Sequence, residues 1–331
     1  MAMVYREEDA DIAVLYGKPI GILGYGTLGR PLAWNLRDSQ LDVRIGVRDK
    51  DAQYDRAIED GFPTGLIEDI IPETPIKFVL LPDEIAPQTY YQRIHAHLKR
   101  GDTLIFASGY NVAYGFIEPP EFVDVGLLAP RIIADAVRER YLDKRGFHSM
   151  VAAAQDATGT VWQTVLALAK AVGSLKAGAV EVTMEQEAQL DLFLQQAIIP
   201  SIFHIFTTAA HLLIEQGYPT EAAMMDLYIS GEFNEVLARA EQEGLLHAVR
   251  QSTATAQFGL VSRLERHHAD QQVGRLMETI LREIRDGTFA KEWGREYANG
   301  SLRLNRLLKA QESLDLWELE QQTIDVLKRK S

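Results

Sequence analysis

The chain contains no cysteine among its 331 residues. Disulfides, thiolate metal centres and a thiol nucleophile are therefore excluded, and the composition fits a reducing compartment. Positive charge is scarce as well: 34 Lys and Arg stand against 47 Asp and Glu, for a net charge of −13. Such a chain is not expected to hold nucleic acid or an anionic membrane by general electrostatics, though a local basic pocket for a phosphate is compatible with it. The opening MAMVYREEDADIAV carries acids and lacks the basic-then-apolar layout of a secretory signal, so a cytoplasmic protein is expected. No internal repeat and no low-complexity linker interrupts the sequence.

The remaining composition, 47% hydrophobic and 24% charged, is that of a globular protein, and the length calls for two domains. One uncharged run, residues 192–214, has the length of a bilayer span. It carries Gln195, Gln196, Pro200, His204, Thr207, Thr208 and His211, a polar load that is costly in lipid. The expectation is a helix buried on most sides within a helical domain, and no membrane association.

The first half of the chain alternates. Strands are predicted at 19–23, 41–47, 76–81, 103–107 and 123–128, with helices after the first glycine-rich turn, at 49–60 and at 88–98. Strands separated by helices imply a doubly wound parallel sheet. Beyond residue 181 the apolar period becomes 3.6, over 185–216, 220–229, 233–243, 261–285 and 302–309, with a glycine turn at Gly287. The predicted organisation is an α/β Rossmann-like domain, 1–181, followed by an all-α domain, 182–331.

The strongest motif is Gly24-Tyr25-Gly26-Thr27-Leu28-Gly29, a G-x-G-x-x-G placed after a strand and opening a helix. Gly24 permits the tight turn, Gly26 the approach of a pyrophosphate, and Gly29 the packing of helix on strand. The helix start then offers free N–H groups and a positive dipole end to the phosphates. The second strand ends in Arg48-Asp49-Lys50-Asp51, which offers both signs of charge. Asp49 and Asp51 would repel a 2′-phosphate and Arg48 and Lys50 would attract one, so NADH and NADPH both stay open.

A family resemblance rests on these and further landmarks: Asn35-Leu-Arg-Asp38, Leu80-Leu-Pro-Asp-Glu84, Ala107-Ser-Gly-Tyr-Asn111, Ala129-Pro130, Gln155-Asp-Ala-Thr-Gly159, Asp191-Leu-Phe193 and Gly287-Thr-Phe-Ala-Lys-Glu-Trp293. In their order and spacing the chain resembles the ketol-acid reductoisomerases over nearly its whole length. The resemblance implies a helical second domain of the kind shared with 6-phosphogluconate dehydrogenase, and a homodimer formed through it. It also implies a nicotinamide cofactor contacted by Arg48, Asp51, Leu81, Pro82, Asp83 and Ser108 besides the glycine loop.

The family reduces and isomerises an acetohydroxy acid with NADPH and two magnesium ions, held by four carboxylates. Where its first metal helix reads Asp-Leu-Phe-Gly-Glu, this chain reads Asp191-Leu-Phe-Leu-Gln195. The two glutamates of the second helix fall at Asp226 and Ser230. The family's active-site histidine falls at Ser108, its lysine at Arg131, and its substrate-binding serine in the stretch Gln251-Ser252-Thr253. Halving the carboxylates removes the charge that keeps two dications together. A magnesium pair is not expected, and at most a single ion at Asp191 and Asp226.

What remains is the equipment of a reductase. Ser108 is able to donate to a carbonyl or imine, or merely to complete its turn. Arg131 does not titrate near neutrality, so it either clamps a substrate carboxylate or serves in an ion pair. Asp191, at the edge of an uncharged run, holds a substrate amine or hydroxyl, or acts as the acid if burial raises its pKa. Gln195, Asp226 and Ser252 complete the candidate catalytic set. His204 and His211 read as core or interface residues, His267-His268 as part of a solvated face, and the four tryptophans as packing residues.

The expected function is an NAD(P)H-dependent reduction of a small carboxylate-bearing ketone or imine, without the isomerase step. A catalytically idle nucleotide-binding sensor or partner subunit, and an atypical magnesium-dependent reductoisomerase, are the alternatives.

Overall fold

The computed structural model describes residues 2–269 and 271–328. The side chains of His267 and His268 lie outside that description. Two compact units make up the chain, Met1–Asp191 and Leu192–Ser331.

The first unit is built on a nine-stranded sheet. Its strands are β1 (Val4–Tyr5), β2 (Ile20–Leu23), β3 (Val43–Val47), β4 (Thr64–Leu66), β5 (Ile76–Val79), β6 (Thr103–Phe106), β7 (Asp124–Pro130), β8 (Ser149–Gln155) and β9 (Ala179–Glu181). They lie in the order β1-β9-β8-β7-β6-β5-β2-β3-β4. From β4 to β7 every pairing is parallel. The strands β2, β5 and β6 are buried along their whole length, as parallel strands covered on both faces must be.

The chain leaves β2 toward β3 and β4, then crosses back to place β5 on the other side of β2. That reversal opens a crevice at the carboxyl ends of the central strands. The doubly wound parallel sheet expected is found, and it is extended at one side by antiparallel pairings: β8 runs antiparallel to β7, and β1 antiparallel to β9. Lys77 interrupts the apolar run of β5. It is fully buried, and its Nζ lies 2.8 Å from Asp102 Oδ2. Desolvation pulls its pKa down and Asp102 pulls it back up.

The helix α1 (Gly29–Asp38) packs Leu32, Ala33 and Leu36 into the core, while α2 (Ala52–Glu59) is capped by Asp51. The helix predicted at 88–98 is a composite: an α turn at Ala86–Thr89, a π turn at Tyr90–Ile94 and a 3₁₀ turn at His95–His97. Two tryptophans pack as expected, Trp34 against Phe62 and Arg37, and Trp162 against Tyr5.

The helix Met184–Phe193 begins inside the first unit because Gly109 lets it approach. A Cβ at Gly109 would stand 2.3 Å from the carbonyl oxygen of Met184. For this reason the first unit extends ten residues past the boundary read from the change of pattern.

The second unit is helical throughout its described residues. The run predicted as one helix over 261–285 is two, Ala254–Ala269 and Gln272–Arg285. Gly287, at φ +75°, makes the predicted turn into Thr288–Ala298. The burial expected for 192–214 is not found within the single chain. Phe203, Ile205 and Leu212 of the helix Ile199–Glu215 are more than half exposed, and His204 and His211 are exposed on its surface. Apolar side chains all round a helix state that something covers it, but not whether the cover is the same chain. By length and composition alone, Met184–Glu215 is also long and apolar enough to cross a membrane.

Candidate functional site

The glycine loop closes the crevice from below. Gly24 takes φ +108°, and a Cβ there would stand 2.4 Å from the carbonyl oxygen of Leu80. A Cβ at Gly29 would stand 2.0 Å from the carbonyl oxygen of Gly24, so only glycine lets α1 start this close to β2. At Gly26 nothing lies within 4 Å of the added carbon, and the open space there is the crevice itself.

The crevice holds a cavity of about 360 Å³. Gly24, Gly26, Thr27, Leu28 and Gly29 form its floor, and Arg48, Asp51 and Gln53 one wall. Leu81, Pro82 and Asp83 form the other, and Ser108 and Asn111 its far end. Every predicted cofactor contact lines it except Tyr25. That side chain is buried away from the cavity, edge-on to Phe62, with its hydroxyl donating to Asp60 Oδ2 at 2.7 Å. Arg30 pairs with the same carboxylate and holds it well below the usual range, at about 2. The part of Tyr25 that belongs to the loop is its amide, which donates to Gln53 Oε1 at 3.2 Å. A dinucleotide fits this arrangement: a glycine floor at a helix start for the pyrophosphate, and a cleft continuing on either side.

Beyond Ser108 lies a cluster of charges within the first unit. The Ser108 hydroxyl oxygen accepts from the Tyr110 amide at 3.3 Å, which leaves its proton for another partner. The amide of Gly109 donates to Glu187 Oε2 at 2.6 Å. Arg131 Nη1 stands 3.4 Å from Glu187 Oε1, and Arg131 Nη2 stands 3.0 Å from Asp191 Oδ1. At 3.4 Å the first contact is an ion pair without a hydrogen bond, and Glu187 Oε1 is buried with no hydrogen-bond partner.

Burial pushes the Glu187 carboxyl up to about 7; the Gly109 amide and Arg131 oppose the shift, while Asp191 and Asp83 add to it. Burial, aided by the charges of Glu84 and Asp191, raises Asp83 to about 6. Asn111 Nδ2 fixes Asp83, donating to both its backbone oxygen and Oδ1 at 3.1 Å.

The first unit thus brings together Ser108, Arg131 and Asp191. Gln195, Asp226 and Ser252 belong to the second unit. Gln195 and Asp226 sit in π turns, Leu194–Ile198 and Met225–Ile229, and Asp226 is exposed. The Ser252 hydroxyl donates to the carbonyl of Val249 at 2.6 Å, an ending for the helix Leu245–Arg250. Glu187, Gly109 and Gln53 were not among the predicted residues. Glu187 stands four residues before Asp191 and so on the same helical face, a spacing that could have identified it.

The donor set at Asp191 suits a cation that is part of the chain. The guanidinium of Arg131 already neutralises Asp191 and faces Glu187, and the position one turn beyond Asp191 holds the amide Gln195. Magnesium takes several hard anionic oxygens in octahedral array, and among the described residues no group of three or more His, Asp or Glu is gathered so as to hold a metal ion.

Residues 14–178 match the family described as "Acetohydroxy acid isomeroreductase, NADPH-binding domain", and residues 184–328 match "Ketol-acid reductoisomerase, C-terminal domain". The chain is 36% identical to the ketol-acid reductoisomerase (NADP(+)) of Methanopyrus kandleri, over 97% of this chain and 96% of that one. It is 34% identical to the enzyme of the same name from Pyrobaculum islandicum, over 94% and 93%. Among solved structures, an NADH-preferring ketol-acid reductoisomerase from an uncultured archaeon superposes with a TM-score of 0.91 and 29% identity, covering 99% of this chain and all of the other.

Proposed function

This chain belongs to the ketol-acid reductoisomerase family of NAD(P)H-dependent oxidoreductases, and from that premise we propose that it reduces a small carboxylate-bearing ketone or imine without the two-metal isomerisation. The observation that carries the reading is the Arg131 bridge. A guanidinium faces Glu187 and Asp191 at a position where the family resemblance calls for lysine, and Gln195 replaces an acid. Alkyl migration needs a Lewis-acid pair, and here a guanidinium already occupies the cation's place beside Asp191.

Bound NAD(P)H supplies a hydride. The residues of the chain supply the rest. The glycine floor and the wall from Leu81 to Asp83 hold the dinucleotide, and Ser108 donates to the oxygen or nitrogen that is to be reduced. Arg131 attracts a substrate carboxylate, in competition with Asp191. Glu187, whose pKa stands near neutrality, holds a proton beside the Gly109 amide and is an acid able to deliver one, as is Asp83 in the cavity wall. The protein acts as a cytoplasmic homodimer in this reading, supported by the exposed Phe203, Ile205 and Leu212 of the second unit, whose apolar area calls for a partner surface.

Titration of NADH and NADPH into the protein, with magnesium and with a chelator, tests the reading first. Cofactor oxidation with a panel of 2-keto acids, alone and with amines, tests it second. Turnover of an acetohydroxy acid that requires magnesium would overturn it in favour of a reductoisomerase with an unusual site, the activity for which its relatives are named. Binding of neither nucleotide would favour an idle sensor or partner subunit.

A further inference from the structure

We propose that Asp51 makes the crevice an NADH site that discriminates against NADPH. The inference rests on the reading of the crevice as a dinucleotide site and adds which dinucleotide it takes. Asp51 stands after β3, at the position from which an acid reaches the ribose hydroxyls in this class of sheet, and it lines the cavity.

Three features of the wall favour a neutral diol over a phosphate. First, the start of α2 is already filled. Asp51 Oδ1 accepts from the Gln53 amide at 2.9 Å, taking the N–H that a 2′-phosphate would seek at a helix start and leaving Oδ2 to accept from a ribose hydroxyl.

Second, two nearby cations are turned to other work. Lys50 Nζ lies 5.5 Å over the ring of Tyr54, and Lys50 does not line the cavity. Arg93 donates to the backbone oxygen of Arg48 and pairs with Asp49 at 3.4 Å and Glu68 at 3.9 Å.

Third, the neighbouring wall residue Gln53 is neutral and turns its Oε1 to the Tyr25 amide. Arg48 is the cation that lines the cavity, and Asp51 shares that lining, so a 2′-phosphate would meet the carboxylate together with the guanidinium. A planar guanidinium also serves the face of an adenine, which NADH and NADPH share.

The test is a pair of fluorescence titrations, NADH and NADPH, on the full chain and on Asp51→Ser. Serine keeps the cap on α2 while removing the charge, and a melting curve verifies that the variant is folded. The native chain should bind NADH at least about tenfold more tightly than NADPH, and the variant should lose most of that ratio, chiefly by gaining affinity for NADPH. Equal or tighter binding of NADPH by the native chain, or a ratio unchanged in Asp51→Ser, would overturn the proposal. If the native chain bound neither nucleotide, the dinucleotide reading itself would fall, and this proposal with it.

Discussion

Arg131 and Asp191 form an ion pair of 3.0 Å at the end of β7 and the last turns of the helix Met184–Phe193. The same guanidinium faces the buried Glu187. A positive charge is thus built in beside the two carboxyl groups of the candidate site.

Replacing Arg131 by Met should leave Glu187 buried without its counter-ion. We expect a loss of about 1–3 kcal/mol of stability at pH 8, and a smaller loss at pH 5, where Glu187 is protonated. Calorimetric melting at the two pH values measures both. An equal loss at both would mean that packing or the Asp191 pair, and not the charge of Glu187, carries the effect.

The Glu187 carboxyl also gives the native protein a pH signature. Its pKa rises from 4.5 to about 7 on folding. The folded state therefore binds the proton more tightly than the unfolded chain, and stability falls as pH rises from 4.5 through 7. The full effect is about 3 kcal/mol as an upper bound. Glu187→Gln should match the native protein near pH 4.5 and exceed its stability increasingly up to pH 8. A constant difference across that range would show that Glu187 titrates normally.

Gly26 and Gly29 should respond differently to alanine. The added carbon at 26 meets nothing, so Gly26→Ala should fold with a change within about 0.5 kcal/mol and lose nucleotide affinity, because the methyl stands in the crevice. The added carbon at 29 meets the Gly24 carbonyl at 2.0 Å, and Gly29→Ala should lose stability and binding together. Melting curves and NADH titration separate the two.

These predictions concern parts of the molecule of unequal visibility in the sequence. The central strands were legible because burial on both faces makes them continuous apolar runs, as in β2 and β6. The strand β8 was not: Ser149–Gln155 is rich in alanine, which favours strands weakly, and it is held by its antiparallel pairing with β7. The glycine loop announced itself as a motif. Glu187 did not, since its importance comes from the approach of Gly109, which joins residues 78 apart in the chain.

Removal of divalent ions offers a direct check on the proposed chemistry. On the proposed reading, chelation should change the rate of cofactor oxidation by less than about twofold, since Arg131 already pairs with Asp191 and Gln195 stands where the resemblance calls for an acid. Loss of most activity on chelation, with recovery on adding magnesium, would count against the Arg131 reading.

The exposed face of the second unit yields a prediction about assembly. Phe203→Asp should weaken a homodimer by about 2 kcal/mol or more if the phenyl ring is a buried anchor there. Sedimentation equilibrium of the native and variant chains reads this out. A native chain that sediments as a monomer at micromolar concentration would end the dimer proposal.

The contact between the Gly109 amide and Glu187 bears on how this chain tolerates change. No side chain at position 109 performs the work there; an unadorned main chain does, and even a methyl group would collide with the Met184 carbonyl. In a scan of every codon, position 109 should therefore prove as intolerant as the glycines of the nucleotide loop, although it touches no phosphate. Mutational constraint at this site would come from the carbon that any other residue adds beside the amide, where a search for reactive side chains does not look.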